Sequence, residues 1–319
     1  MKILAIQNRM GIGDMVIFLP FIEAISKKFN SPVSILVKEN SKALEYLEKN
    51  KYIEKILILE RNNNNSHHDG IIGSFNLAKD LKKYNFEKVF IFNSSLRFRL
   101  ICKITGIKEI FQYPLFQKKQ QHLIETAQNF IKKELDMDID SNPIIKLENS
   151  LIENAKNKYS INSSQINILL GIGGSGPTKR IPAYKFLSFM KMATKEYDCK
   201  FFLATGTNDE EQIVLNEILN SEFKEICVPL DKIKIRETLP IIKNCTVAIC
   251  NDSSFSHLSA ALDISTIVLL SDTPLMYGSY SPNMYPIIPD GEKTVTHDTL
   301  GKERINPKKI FKIFKEIVT

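Results

Sequence analysis

The chain has 319 residues, of which 43% are hydrophobic and 25% charged, with a formal net charge of +7. That is ordinary globular composition, and the length favours two domains, each able to bury a core. The apolar run in MKILAIQNRM is too short for a signal-peptide core, and no later stretch approaches the run of about eighteen apolar residues that a membrane span needs; a soluble, cytoplasmic protein is expected. Cys102, Cys199, Cys227, Cys245 and Cys250 are scattered and form no C-x-x-C pair, so free thiols in a reducing compartment are expected rather than a disulfide framework. The modest excess of Lys suits an anionic substrate or a phospholipid surface, or has no functional cause; no nucleic-acid partner is expected.

The first half alternates short apolar runs with amphipathic stretches. Lys2–Ile6, Val33–Val37, Ile53–Leu59 and Lys88–Phe92 read as strands whose near-continuous apolar character suits a parallel sheet covered on both faces. Asp14–Phe29, Ser41–Leu47, Phe75–Lys83 and Arg97–Thr105 read as intervening helices. Between them, RNNNNSHHDG at 61–70 reads as an exposed polar loop. His67 and His68 lie in it, but neighbours in extended chain point apart and no third ligand is near in sequence, so no metal is expected there. Gln117–Leu135 reads as a long amphipathic helix. DMDIDSNPIIKL, which follows it, is the expected domain link. Its three aspartates do not make a calcium loop, since Ser141 and Leu147 stand where Gly and Glu would be needed.

The rhythm then restarts. Ile166–Leu170, Phe201–Ala204, Glu225–Val228, Val247–Cys250 and Thr266–Leu270 read as strands. Helices are expected from Pro182 to Glu196, Asp209–Leu219, Arg236–Ile242, Phe255–Leu262 and Pro307–Ile317. Two such tandem arrays imply two facing nucleotide-type folds, with ligands at the carboxyl ends of strands.

Three loops could carry chemistry. Gly11-Ile12-Gly13-Asp14 follows the first strand; its glycines allow close backbone approach, and Asp14 is either a helix cap or a catalytic carboxylate. The second, Gly171–Arg180, contains a formal G-x-G-x-x-G, but Pro177 delays the helix and no acidic residue at the end of the next strand awaits a ribose. Gly174, Ser175, Thr178, Lys179 and Arg180 are phosphate-binding parts, or a solvated loop with two surface bases. The third runs from Asn251 to His257 at a helix start, where a diphosphate would fit; equally, Asp252 or Ser253 caps the helix and His257 packs nearby.

In combination these elements resemble glycosyltransferase family 9, the ADP-heptose–lipopolysaccharide heptosyltransferase family. The resemblance is carried by GIGDMVIFLPFIEAI at 11–25, GSGPTKRIPAYKFLSF at 174–189, TGTNDEEQI at 205–213 and NDSSFSHLSAALDISTIVLLSDTP at 251–274. It implies the α/β GT-B architecture, two Rossmann-like domains with mostly parallel sheets facing a central cleft: an acceptor-side domain at 1–147 and a donor domain at 148–319, the last helix packing back on the first or touching lipid. It implies inverting, metal-independent transfer of a heptose-like sugar from a nucleoside-diphosphate donor, with ADP the expected nucleotide, to a hydroxyl of an anionic lipopolysaccharide-type acceptor, with no cofactor and with peripheral membrane contact. By resemblance Asp14 is the general base, and Lys179, Asp252, Ser253, Ser254 and His257 belong to the donor site. Gly13, Gly174, Ser175 and Thr178 are expected beside it. Asp209 and Glu210 either reach the ribose or base or cap their helix. The chain departs from the family pattern at Ile181, Ser254, Phe255-Ser256 and Ser271, which puts donor identity in question more than reaction type. Two other readings stay open: a sugar-nucleotide binder with an altered pocket, and an NAD(P)-dependent oxidoreductase resting on Gly171–Gly176. Arg97, Arg99, Lys103, Lys118 and Lys119 could meet an anionic acceptor or simply be solvated.

Overall fold

The computed structural model describes residues 1–9, 11–61, 66–115, 123–174 and 176–319. By its internal contacts the chain divides into two compact units, Met1–Pro143 and Ile144–Thr319.

The first unit runs β1 Ile3–Ile6, α1 Ile12–Phe29, β2 Val33–Lys38, α2 Ala43–Tyr46, β3 Ile53–Leu59, α3 Gly70–Lys82, β4 Lys88–Ile91, α4 Leu96–Ile104, β5 Glu109–Gln112 and α5 Leu123–Leu135. Its five strands form one parallel sheet in the order β3-β2-β1-β4-β5. Leu77, Leu81, Phe98 and Ile101, from α3 and α4, pack on Leu4, Ile6, Val89 and Ile91 of the sheet. A separate aromatic cluster joins α1 to α5. Phe18 and Phe130 each meet Phe92 edge-on, with ring centres 5.1 and 5.5 Å apart, a geometry worth about 0.5–1.5 kcal/mol per pair beyond burial. The strand order reverses between β1 and β4. Asn93 there donates to Asn8 Oδ1 at 3.0 Å, tying the two carboxyl ends together.

The second unit runs α6 Asn149–Lys158, β6 Ile166–Gly171, α7 Ala183–Glu196, β7 Cys199–Ala204, α8 Asp209–Leu219, β8 Cys227–Pro229, α9 Ile235–Lys243, β9 Val247–Asn251, α10 Ser254–Ala261, β10 Thr266–Leu269, β11 Met284–Ile287 and α11 Pro307–Val318. Its six parallel strands lie in the order β11-β10-β9-β6-β7-β8, the doubly wound nucleotide-binding order, with its switch point between β6 and β9. Phe186, Phe189, Phe201, Leu203, Ile310 and Phe314 belong to the core on one face of this sheet. The terminal helix α11 contributes Ile310 and Phe314 to this core.

All five cysteines are free thiols. Burial pushes Cys102, Cys227 and Cys250 up to about 12, so they are neutral and unsuited to nucleophilic roles. Among the described residues no helix is long and apolar enough to cross a membrane.

Candidate functional site

In the first unit, the turn after β1 carries Asp14. Gly11 is the N-cap of α1 with φ 99°, a left-handed backbone that a side chain would strain, and no side chain caps the helix. Asp14 is thus not the cap: it sits in the first helical turn, and its Oδ1 accepts from Arg9 Nε at 3.0 Å. Gly13 lies just before it in the same turn. Gln7 shapes the approach, accepting from the Arg9 backbone N–H at 3.0 Å and donating to the Asp14 carbonyl at 3.3 Å. The carboxylate stays partly exposed at the carboxyl edge of the sheet, and among the described residues the exposed Arg9 is its one ionic partner.

In the second unit, the loops after β6 and β9 flank the switch point. Lys179 Nζ lies 2.7 Å from Asp252 Oδ2, and Thr273 Oγ1 donates to the same oxygen at 2.8 Å. His257 Nε2 faces Asp252 Oδ1 at 3.8 Å. The His257 Nδ1 is 2.8 Å from the Tyr280 hydroxyl, and the two rings stack. Burial, with the Asp252 charge nearby, pushes the Tyr280 phenol well above its ordinary value, so it stays protonated. Asp252 is consequently not a helix cap. The N-cap of α10 is Ser253, whose side chain makes no capping bond. Among the described residues the buried Ser253 Oγ has no hydrogen-bond partner, and the same holds for Thr205 Oγ1 and Asn251 Oδ1 at the neighbouring strand ends. An uncapped helix N-terminus that starts at Ser254, an orphan hydroxyl and a lysine are groups that by elementary electrostatics suit an anion.

The Gly-rich loop is held by Glu211, which sequence reasoning missed. Asn208 caps α8, its Oδ1 accepting from the Glu211 N–H at 3.0 Å. The buried Glu211 carboxylate accepts from the Gly174 N–H at 2.8 Å. That N–H is therefore committed to the protein rather than to a phosphate, contrary to expectation. The carboxylate also explains two glycines: a Cβ at Gly173 would stand 2.4 Å from Glu211 Oε1, and one at Gly206 2.2 Å from Oε2. Asp209 and Glu210 are not caps. Asp209 is exposed in the first turn of α8, and Glu210 pairs with Arg180. Thr178 contributes its carbonyl, which accepts from Ser271 Oγ at 2.8 Å. Ser271, where the family pattern has Gly, thus uses its hydroxyl to tether this loop. Ile181 is fully buried in the core and Phe255 is buried in α10. Ser175, Lys118 and Lys119 lie outside the described residues. The dinucleotide reading fails on geometry, because α7 starts only at Ala183 and the loop's Gly174 N–H is occupied.

A third ligand, unseen in sequence, joins the histidine pair of the first unit. Asp80 Oδ2 lies 3.0 Å from His67 Nε2 and 3.2 Å from His68 Nε2, and the three ligating atoms fall within 4.8 Å. The proton inventory argues against a metal. His68 Nδ1 accepts from the Glu60 backbone N–H at 3.0 Å, so Nε2 carries the ring proton and donates to Asp80. Metal at Nε2 would require an imidazolate or loss of that bond.

The sequence profile of glycosyltransferase family 9 (heptosyltransferase) matches residues 75–297. The chain is 22% identical to lipopolysaccharide heptosyltransferase 1 of Campylobacter coli over 99% of each chain. In fold it is similar to the glycosyl transferase family 9 structure from Veillonella parvula DSM 2008, with a TM-score of 0.79 and 17% identity over 99% of this chain and 96% of that one. It is likewise similar to the ADP-heptose lps heptosyltransferase II of E. coli, with a TM-score of 0.75 and 17% identity over 99% and 98%. These likenesses are of fold, the GT-B arrangement of two α/β units with parallel sheets. With the profile covering most of its length, the chain belongs to glycosyltransferase family 9 and is a glycosyltransferase.

Proposed function

We propose that the chain transfers a heptose from an ADP-linked donor to a hydroxyl of a lipopolysaccharide-type acceptor, with inversion at the anomeric carbon and without a metal ion. The observation that carries this reading is the convergence of Lys179, the uncapped start of α10 and the orphan Ser253 hydroxyl at the switch point of the second sheet. A nucleoside diphosphate is the ligand class that such a group of fixed cations and donors suits. The named donor and acceptor rest on the activities of the similar proteins.

The acceptor oxygen attacks the anomeric carbon, and a new C–O bond forms as the bond to the diphosphate oxygen breaks. The leaving diphosphate keeps the electron pair. Its growing charge is met by the Lys179 ammonium and the first-turn N–H groups of α10, electrostatics already in place before the reaction and needing no added ion. The acceptor proton passes to Asp14, whose partly exposed carboxylate has only Arg9 as an ionic partner among the described residues. Attack opposite the leaving group gives inversion. Asp252 orients Lys179 and, through its other oxygen, faces His257; Tyr280 fixes that imidazole.

The test is incubation with ADP-heptose and a deacylated lipopolysaccharide core in the presence of EDTA. One heptose should be added per acceptor, with stoichiometric ADP release and an inverted linkage by NMR. No transfer with ADP-heptose, alongside transfer from a UDP- or GDP-sugar, would overturn the donor assignment; activity only after divalent metal is restored would overturn metal independence.

A further inference from the structure

Three consecutive buried polar residues stand just after strand β10: Ser271, Asp272 and Thr273, none more than 5% exposed. Each turns to a different partner. The Ser271 hydroxyl donates to the Thr178 carbonyl in the Gly-rich loop at 2.8 Å. Asp272 Oδ1 accepts from the Leu300 backbone N–H at 2.8 Å. Thr273 Oγ1 donates to Asp252 Oδ2, the oxygen that Lys179 also meets. A buried carboxylate is costly unless it is bonded, and the bond that Asp272 makes is to a backbone N–H 28 residues further along the chain.

The segment that Asp272 holds, residues 300–303, reaches back to the same Gly-rich loop. The Gly301 N–H donates to the Ser271 carbonyl at 2.8 Å, and Lys302 Nζ donates to the Pro177 carbonyl at 3.2 Å. From the first turn of α7, the Tyr184 hydroxyl donates to Glu303 Oε2 at 2.5 Å and Lys185 Nζ donates to the Glu303 carbonyl at 2.7 Å. Leu300 has φ 48°, a left-handed backbone that a branched side chain keeps only where its surroundings hold it. The two carbonyls before Lys179 are thus both bonded from outside the loop, Pro177 by Lys302 and Thr178 by Ser271. The ammonium end of the lysine is fixed as well, through Asp252 and Thr273.

We propose that Ser271 and Asp272 are positioning residues for Lys179. Ser271 ties down the residue before the lysine. Asp272 holds the 300–303 segment, whose Lys302 ties down the residue before that. Loosening either bond lets the backbone under Lys179 shift, and the ammonium then spends less of its time where a diphosphate meets it. Preorganisation of this kind is read as affinity. The proposal rests on the reading of Lys179 as a contact to the donor diphosphate, and it does not require Ser271 or Asp272 to touch the nucleotide.

ADP affinity is measured by calorimetric titration of the full chain and of Ser271→Ala, Asp272→Ala and Asp272→Asn, each with Lys179 in place and again with Lys179→Ala. With Lys179 in place, both alanine variants should bind ADP about fivefold more weakly. Asp272→Asn keeps a carbonyl oxygen for the Leu300 N–H and should bind within about twofold of the parent. Combined with Lys179→Ala, each substitution should change affinity by less than about twofold, a dependence that general destabilisation would not produce. Ser271→Ala leaves every charge in place and decides the question if Asp272→Ala does not fold. Alanine variants that bind ADP as the parent does, or that lose the same factor with and without Lys179, overturn the proposal, and Asp272→Asn as weak as Asp272→Ala overturns the role of the Leu300 bond. A parent that does not bind ADP at all overturns the donor reading, and the proposal with it.

Discussion

The Lys179 ammonium lies 2.7 Å from the Asp252 carboxylate, across the switch point of the second sheet and 73 residues apart in sequence. Asp252 is nearly buried, so its charge needs this partner as well as the Thr273 hydroxyl. Replacing Lys179 with Ala should have two effects. ADP affinity should fall about tenfold or more, as a charge-assisted contact to phosphate is lost. Stability should fall by about 3 kcal/mol, the low end for breaking a buried pair, because Lys179 keeps some access to water. Calorimetric titration with ADP and chemical denaturation measure the two separately; unchanged ADP affinity would remove Lys179 from the donor site.

Glu211 organises the Gly-rich loop from below. Glu211→Ala leaves the Gly174 N–H without its acceptor and should cost about 1–3 kcal/mol. Gly173→Ala and Gly206→Ala should each destabilise by a similar amount, since a Cβ cannot sit 2.4 or 2.2 Å from the Glu211 carboxylate oxygens. Each glycine variant combined with Glu211→Ala should cost less than the sum of its parts. Additive losses in denaturant melts would show that the carboxylate is not what excludes the side chain.

The His67, His68 and Asp80 cluster should behave as an ion-pair network rather than a metal site. Zinc or nickel added in modest excess should leave the melting temperature unchanged, because His68 Nδ1 is already engaged by the Glu60 N–H. Asp80 is held well below the ordinary carboxylate range, first by its hydrogen bond from Lys83 and then by the histidines. A depressed carboxylate stabilises the fold fully above its unfolded value of about 4, and that contribution is lost as pH falls through its lower folded value. The stability difference between the parent and Asp80→Asn should therefore be largest near neutrality and shrink below pH of about 4. A metal-dependent rise in melting temperature would contradict the tautomer assignment.

Much of the fold was legible because parallel strands buried on both faces leave continuous apolar runs. Ile53–Leu59 and Asp209–Leu219 have the same bounds in sequence and structure. β5 and β11 escaped because each is four residues long, at a sheet edge and only partly buried. α3 starts at Gly70 rather than Phe75, because the exposed Ile71 and Ile72 do not fit the periodicity of a single buried face. At the site, the resemblance pointed to Lys179, Asp252 and His257, which the fold does bring together. Glu211, Thr273 and Tyr280 were not foreseen. Their contacts span 37, 21 and 23 residues and depend on which strand ends become neighbours. One local signal was present: Asn208 followed three residues later by Glu211 has the spacing of a helix-start cap.

The central claim is that Asp14 takes the acceptor proton while the second unit holds the diphosphate, and Asp14→Asn tests it most directly. Its partner Arg9 is exposed, and such a pair is worth about 0–1 kcal/mol, so the variant should fold with a nearly unchanged melting temperature. Rapid-quench single-turnover transfer should fall by about 10²–10⁴-fold, the usual contribution of a general base, while ADP affinity measured on the same preparation stays at the parent value. Transfer within about tenfold of the parent, or loss of folding in place of loss of transfer, would contradict the claim.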